Sequence, residues 1–243
     1  MQMPRATAAA GQVELVIRNR VRIRFRKEGD LRFASHRDLM RTWERLLRRA
    51  GLRLSMSEGF HPKPRISLAS ALAVGIAGTN ELIDVELAEV RPPHEVLAVL
   101  AASAPPGLTI DSVEQLPEKA KPAQVDMVTF EVAVPGERRA ELAARIEALL
   151  AQTSYEIQRP TRAAALDLRP LLADVRLADG VLSLRLRVNR EGSARPREVL
   201  EALGAADLEE LGCLLTRTGV ELAASGTGPA SGTTASSPQL HAD

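Results

Sequence analysis

Hydrophobic and polar residues alternate strictly over residues 21–27, VRIRFRK, and this alternation predicts a β-strand. Successive side chains of a strand point to opposite faces of its sheet, so one face of this strand would be apolar and the other cationic. The side chains expected to face a core are Val21, Ile23 and Phe25. The side chains expected on the exposed face are Arg22, Arg24 and Arg26.

A helical pattern follows this strand, after a turn at Gly29 and Asp30. Apolar residues recur every three or four positions, a spacing typical of the buried face of an α-helix. These residues are Leu39, Trp43, Leu46, Leu47 and Ala50. Ser35 and Asp38 match a variant of the capping box, and Gly51 is positioned to end the helix. We predict a helix over residues 36–50.

The remaining pattern predicts two halves with the same order of elements. Each half reads as strand, helix, strands, helix and strand, with an additional short strand near Leu54 in the first half and one over residues 155–159 in the second. The last strand of the second half is expected over residues 213–218. The predicted fold is α+β, with two tandem ferredoxin-like (split βαβ) units over residues 18–117 and 125–222. Residues 118–124, rich in proline and charge, are predicted to link them.

The two ends of the chain differ in composition from its middle. From Ala224 the sequence ASGTGPASGTTASSPQLHAD is small and polar, and it cannot bury enough apolar area to offset its ordering entropy. We predict a disordered tail over residues 223–243 and a flexible N-terminus over residues 1–17. No stretch approaches the roughly 20 apolar residues that a membrane helix needs, and residues 1–12 do not resemble a signal peptide. A cytoplasmic protein with no membrane partner is therefore expected.

Charge is distributed unevenly along the chain. Residues 1–65 carry 16 Lys and Arg against 6 Asp and Glu, a net charge of +10, whereas residues 66–243 carry 16 against 25, a net charge of −9. A one-sided basic field attracts polyanions, so RNA is the first hypothesis for a partner. Aromatic residues make up only 2% of the chain, which argues against a sheet that reads RNA by stacking aromatic side chains.

Several cationic side chains of the N-terminal region are candidates for contacts with nucleic acid. Four arginines of the predicted helix lie within about 80° of one another, opposite its apolar face. They are Arg37, Arg41, Arg45 and Arg48. Together with the strand arginines they have few acidic neighbours in the sequence, which favours phosphate binding. The alternative is a solvated helix face.

The segment SEGFHPKPR, residues 57–65, predicts a stiff loop. Gly59 permits an unusual backbone angle, and Pro62 and Pro64 restrict the chain around it. One interpretation is a preorganised loop that captures an anion. The side chains it would present are His61, Lys63 and Arg65. The alternative is a structural crossover in which Phe60 anchors in the core and the charges face water.

Catalytic and metal sites receive weaker support from the sequence. His36 occupies the first position of the predicted helix, where the positive helix end favours a neutral, proton-accepting imidazole. His36 and His61 are therefore candidate catalytic residues, including as a pair that cleaves RNA. No spacing of histidines and cysteine resembles a zinc or iron site, so no metal is predicted. Three acids, Glu81, Asp84 and Glu86, are expected to be exposed on a strand; alternatively they orient the arginines or bind a cation.

The stretch RFASHRDLMRTWERLLRRAGL, followed by SEGFHPKPRISLASALAVG, resembles the paired signature of the radical-SAM-linked domain family of uncharacterised bacterial proteins. That family occurs as a free-standing protein or fused behind a radical-SAM enzyme. Its pattern recurs at residues 33–49, residues 59–67 and Glu81, and more faintly at residues 167–170 and 217–219. This chain departs from the family in two places. Arg37 replaces the leucine of the family's Ser-His-Leu-Asp motif. Lys63 lies between Pro62 and Pro64, where the family has histidine.

The resemblance implies that the chain works with a radical-SAM enzyme. A radical-SAM cluster needs three thiolates, and this chain has only one cysteine, Cys213. The iron–sulfur cluster and S-adenosylmethionine are therefore expected on a partner. We expect no cofactor in this chain. We therefore expect an accessory protein that binds tRNA or rRNA through its arginine-rich face and presents it to that enzyme. Two alternatives are a metal-independent RNA-processing enzyme that uses His36 and His61, and a scaffold that docks another protein.

Overall fold

The computed structural model describes residues 18–160, 164–189 and 192–223, and this part of the chain has a mixed α+β fold. Its helices are α1 (His36–Arg49), α2 (Pro93–Ser103), α3 (Arg139–Ala151) and α4 (Pro196–Ala202). Its strands are β1 (Asn19–Lys27), β2 (Ile66–Leu68), β3 (Ala77–Leu87), β4 (Leu108–Gln115), β5 (Val125–Ala133), β6 (Glu156–Ile157), β7 (Leu166–Asp167), β8 (Leu172–Ala178), β9 (Val181–Asn189), β10 (Gly192–Ser193) and β11 (Thr216–Leu222). The predictions for residues 1–17 and for the tail from residue 224 lie outside the described residues.

Nine of these strands form a single sheet, and β6 pairs only with β7. In the first half the strand order is β4-β1-β3-β2, and in the second it is β11-β5-β9-β8, with every pairing inside a half antiparallel. The halves join where β11 runs parallel to β3, through Thr216 beside Ala77 and Arg217 beside Gly78. The prediction of an α+β fold is confirmed. Its division into two ferredoxin-like units stays a prediction, because the strands of both halves share one sheet.

The buried apolar side chains form two clusters, one in the first half and a larger one in the second half that also includes Leu72, Ile76 and Leu82 of the first half. In the first half the apolar face of β1 packs against α1, and the rings of Phe25 and Trp43 meet edge to face with centroids 5.0 Å apart. In the second half a larger core collects side chains from β5, β8 and β9 and from α3 and α4. The alternation of buried and partly exposed residues along β1 confirms the predicted strand.

Helix α1 begins and ends at the signals that the sequence contains. The Ser35 side chain accepts a hydrogen bond from the backbone N–H of Asp38, as expected for an N-cap. At the other end Gly51 has a φ of +70°, its N–H donates to the carbonyl of Arg48, and the N–H of Leu52 donates to that of Leu47. This is the Schellman arrangement, in which a left-handed glycine satisfies the last carbonyl groups of a helix.

Three predicted strands differ from the structure because their extent depends on partners remote in sequence. The strand expected near Leu54 is one isolated bridge to Leu87. The strand expected over residues 155–159 is reduced to β6, which pairs only with β7. The last strand covers residues 216–222 instead of 213–218, since its pairing with β5 extends to Leu222. Among the described residues, no helix is long and apolar enough to cross a membrane.

Candidate nucleic-acid interface

The arginines of β1 lie on the sheet face opposite the helices and are hydrogen-bonded across strands. Arg22 donates from two nitrogens to the carboxylate of Asp84, at 2.8 and 2.9 Å. Arg24 donates to Asn80 Oδ1 at 2.6 Å, and Arg26 pairs with Asp111 at 3.0 Å. The expectation that few acids would neutralise these arginines was wrong, because their partners come from β3 and β4, which are remote in sequence. The hydrogen bond to Asp84 also raises the pKa of Arg22.

The arginines of α1 form a separate surface on the outer face of the helix. We call the exposed side chains of Arg37, Arg41, Arg45 and Arg48 the cationic ridge. Since α1 packs on the apolar face of β1, the sheet separates the ridge from the arginines of β1. The single arginine surface suggested by sequence proximity is thus divided into two.

Few carboxylates oppose the cationic ridge. Arg41 approaches Asp38 at 3.6 Å, and Arg45 donates to the hydroxyl of Thr42 at 3.4 Å. Arg37 and Arg48 have no ion pair or hydrogen bond to another described side chain. The hydrogen bond from the Ser35 hydroxyl, together with the nearby Arg41, lowers the pKa of Asp38. The ridge therefore keeps most of its positive charge available to a partner.

The loop over residues 57–63 is closed at its base and open at its tip. The Ser57 N–H donates to the Lys63 carbonyl at 2.8 Å, and the Lys63 N–H donates to Ser57 Oγ at 2.9 Å. Gly59 has a φ of +121°, which favours glycine. Pro62 lies at the exposed tip, whereas Pro64 pairs with Met56 through an isolated bridge at the base.

Phe60 lies at the tip of this loop and is fully exposed, with a relative exposure of 103%. The alternative in which Phe60 anchors the loop in the core was therefore wrong. His61 and Lys63 are exposed beside it. Arg65, by contrast, lies 3.8 Å from Glu86 and donates to the Met56 carbonyl, so it belongs to the base of the loop.

The two histidines are not brought together. Lys27 Nζ donates to the carbonyl of Ala34, so His36 lies near the last residue of β1. The loop that carries His61 begins beside Glu86, whose strand partner is Arg20, near the first residue of β1. Seven residues of strand, about 23 Å, separate these two positions. The arrangement does not support a histidine pair that cleaves RNA, and no group of three or more potential metal ligands occurs among the described residues.

A buried group of charges was missed by sequence reasoning. Glu81 and Arg217 are 3% and 2% exposed, and Arg217 Nε donates to Glu81 Oε1 at 2.7 Å. Lys27, 1% exposed, lies nearby, and its burial lowers its pKa, an effect that Glu81 opposes. Glu81 and Asp84 are buried and not exposed as predicted. The signal for Lys27 was its position, since it continues the series of Val21, Ile23 and Phe25 that faces the core.

A family profile described as "Uncharacterized protein conserved in bacteria (DUF2344)" matches residues 20–196, most of the chain. The chain belongs to this family. The match runs from β1 to the first residue of α4 and includes the cationic ridge and the loop. Membership of an uncharacterised bacterial domain family, inferred from the sequence, is thus confirmed, while the link to a radical-SAM enzyme stays a prediction.

Two solved structures match most of the chain, but with low sequence identity and low TM-scores. One, an unknown protein from Galdieria sulphuraria, is 13% identical, with 85% of this chain and 99% of that chain covered and a TM-score of 0.27. The other, a putative glycine cleavage system transcriptional repressor, is 10% identical, with 85% and 98% covered and a TM-score of 0.23. The search of curated proteins found no match.

Proposed function

We propose that this protein is an RNA-binding accessory protein that presents tRNA or rRNA to a separate radical-SAM modification enzyme. The observation that carries RNA binding is the cationic ridge, whose arginines are exposed and face few carboxylates. The link to the enzyme rests on the resemblance of residues 33–49 and 59–67 to radical-SAM-linked proteins. With Cys213 as its one cysteine, the chain would leave the iron–sulfur cluster and S-adenosylmethionine to its partner.

The spacing of the ridge suits a phosphate backbone. Arg37, Arg41 and Arg45 follow one another at four-residue intervals, which is about 6 Å along the helix axis. Neighbouring guanidinium groups can therefore contact successive phosphates of one strand, each with two parallel hydrogen bonds. Contacts of this kind position RNA without reading its sequence.

The loop would add recognition of an unpaired base. A fully exposed phenylalanine beside a histidine and a lysine offers a ring for base stacking and cations for the adjacent phosphate. The chain needs eight residues to pass from Arg49 to Ser57, so the loop begins within about 28 Å of the end of the ridge. An RNA with a stem and an unpaired loop, such as tRNA or an rRNA hairpin, fits both elements.

The remaining cationic candidates take a smaller part in this proposal. Each of the β1 arginines would have to exchange an existing hydrogen bond for a phosphate contact.

We also propose that both halves are ferredoxin-like units. The orders β4-β1-β3-β2 and β11-β5-β9-β8, each with two helices, support this assignment.

The ridge is tested by RNA binding at several salt concentrations. In the triple variant Arg41→Ala, Arg45→Ala, Arg48→Ala, the slope of log affinity against log salt is expected to fall by about 2 to 3, since each lost phosphate contact removes about 0.7 to 0.9. Fluorescence anisotropy with labelled tRNA and an rRNA hairpin measures this slope. The matched control is Arg145→Ala, Arg176→Ala, Arg187→Ala, which removes three arginines of the second half. Equal effects of the two triple variants would contradict the proposal.

The accessory role has its own test. The full chain is used as bait for affinity purification from a bacterium that contains a member of this protein family. It is expected to recover an enzyme that carries a CxxxCxxC motif and binds S-adenosylmethionine. The wild-type chain should also increase RNA modification by that enzyme, and the triple ridge variant should not. Recovery of RNA without such an enzyme would remove the radical-SAM link and leave RNA binding intact.

A further inference from the structure

A groove of about 590 Å³ lies between the two halves of the molecule, and no residue of the cationic ridge lines it. Its floor is apolar and comes from both halves: Leu72, Ile76, Val128, Phe130 and Ala194. These five residues are buried, so their packing fixes the shape of the floor. A concave, mostly apolar site of this size with a few polar groups is typical of small-molecule binding.

The wall of the groove is held in place by Arg217. Its Nη1 donates to Ser70 Oγ and to the Ala71 carbonyl, both at 3.2 Å, and its Nε and Nη2 pair with Glu81. A segment of the first half is thereby fixed against β11 of the second half. A groove preorganised in this way loses little entropy when it binds a ligand.

The charged side chains around the groove differ in how fully they are paired. Arg217 and Arg197 each form two-point pairs with carboxylates, those of Glu81 and Glu209. Arg195 approaches Glu198 only at 3.9 Å, and its side chain is 66% exposed. Glu198 is itself held at two points by Arg159. Among the described cations at the groove, Arg195 is therefore the one with room for a further anion.

We propose that this groove binds a small hydrophobic carboxylate. The apolar body of the ligand lies on Val128 and Phe130, and its carboxylate pairs with Arg195 at the rim. The hydroxyl of Ser70 accepts a hydrogen bond from Arg217 and donates its own proton to the Ala71 carbonyl at 3.4 Å, so it helps to fix the wall of the groove. This site is independent of the RNA surface.

Three probes of equal chain length separate the contributions of charge and apolar contact. Octanoate is expected to bind with a Kd below about 1 mM by isothermal titration calorimetry, octan-1-ol about tenfold more weakly, and octylamine more weakly than octanoate, because Arg195 repels its ammonium group although Glu201 also lines the groove. Failure of octanoate to bind at 5 mM, or equal binding of octanoate and octan-1-ol, would overturn the proposal.

Two variants at exposed positions locate the ligand. Arg195→Gln is expected to weaken octanoate about tenfold and to leave octan-1-ol unchanged, whereas Ala73→Trp fills the mouth and weakens both. Arg176→Gln, which removes an exposed arginine from β8, serves as the control and should leave both unchanged. Octanoate binding that is unaffected by Arg195→Gln or by Ala73→Trp contradicts this site.

Discussion

In the N-terminal region, Phe60 is the residue whose exposure differs most from that expected for its residue type. A phenylalanine in a chain with 2% aromatic residues is expected in the core, yet this ring is entirely in solvent. The base of its loop is fixed by two hydrogen bonds between Ser57 and Lys63, one of which is accepted by the Ser57 hydroxyl. An exposed ring beside His61 and Lys63 is consistent with stacking on a base.

Phe60→Ala is expected to weaken binding of RNA with an unpaired loop by about 1 to 3 kcal/mol, the usual contribution of one stacked base. Binding of fully paired RNA should not change, because the ring has no role in phosphate contact. Anisotropy titrations with a hairpin and with a blunt duplex measure the difference. Unfolding in urea provides the control and should be unchanged. Equal losses for the two RNAs would exclude stacking.

Asp167 is a second residue with a defined local role. Its carboxylate accepts hydrogen bonds from the backbone N–H groups of Tyr155 and Arg169, both at 2.9 Å. These bonds, from Tyr155 first and then Arg169, lower the pKa of Asp167. The charged carboxylate thus connects the turn before β6 to the turn after β7.

The lowered pKa of Asp167 determines how its contribution to the free energy of unfolding changes with pH. The contribution is fully present above the unfolded-state pKa, about 3.9, and is lost as the pH falls through the lower folded-state pKa. Wild type should therefore be more stable than Asp167→Asn at pH 7, and the difference should shrink below about pH 4. Urea midpoints at pH 7, 5 and 3.5 test this, and a difference independent of pH would contradict it.

At the scale of elements, α1 carries the proposed RNA contacts and depends on both of its ends. The Ser35 cap and the Gly51 motif lie outside the helix itself, and each satisfies backbone groups that the helix leaves free. A Cβ added to Gly51 would meet no atom within 4 Å, so a substitution there changes only the backbone preference.

Gly51→Ala is expected to lower the free energy of unfolding by about 1 kcal/mol, because a left-handed backbone brings Cβ too close to the following carbonyl oxygen. Gly136→Ala is the matched control, since a Cβ there also meets nothing within 4 Å and no positive φ is required. It should change stability by less than about 0.5 kcal/mol. Equilibrium unfolding in urea measures both, and similar losses at the two glycines would show that the backbone angle is not the cause.

At the scale of the whole molecule, the two halves are joined by strand pairing and by buried charge. The pairing of β11 with β3 involves only two residues of each strand. The ion pair of Glu81 and Arg217 lies beside it, with both side chains at most 4% exposed. Lys27 adds a second buried cation near Glu81, so this carboxylate faces two positive charges.

Removing either member of the pair should destabilise the protein strongly, because the other charge stays buried without its partner. Arg217→Met is expected to cost about 3 kcal/mol, and Glu81→Leu more, about 5 kcal/mol, since its loss also leaves Lys27 without a counter-charge. Urea unfolding at pH 7 measures both. A larger cost for Arg217→Met than for Glu81→Leu would show that Lys27 does not depend on Glu81.

Features that depend on neighbours along the chain could be predicted from the sequence alone. The alternation at residues 21–27 and the helical spacing after Ser35 led to β1 and α1 within two residues of their bounds, because periodicity and caps are local. The excess of arginine in the first 65 residues likewise needs no structure to be seen.

Which charges remain free, and how the halves meet, depends on contacts between residues remote in sequence and is seen only in the folded chain. Arg22 and Asp84 are 62 residues apart, and Glu81 and Arg217 are 136 apart, so nothing local to any of them signals the pairing. The register between strands decides these contacts, and the sequence of one strand does not show which strand will pair with it. For the same reason the sequence placed all the arginines on one surface, whereas the sheet separates those of β1 from those of α1.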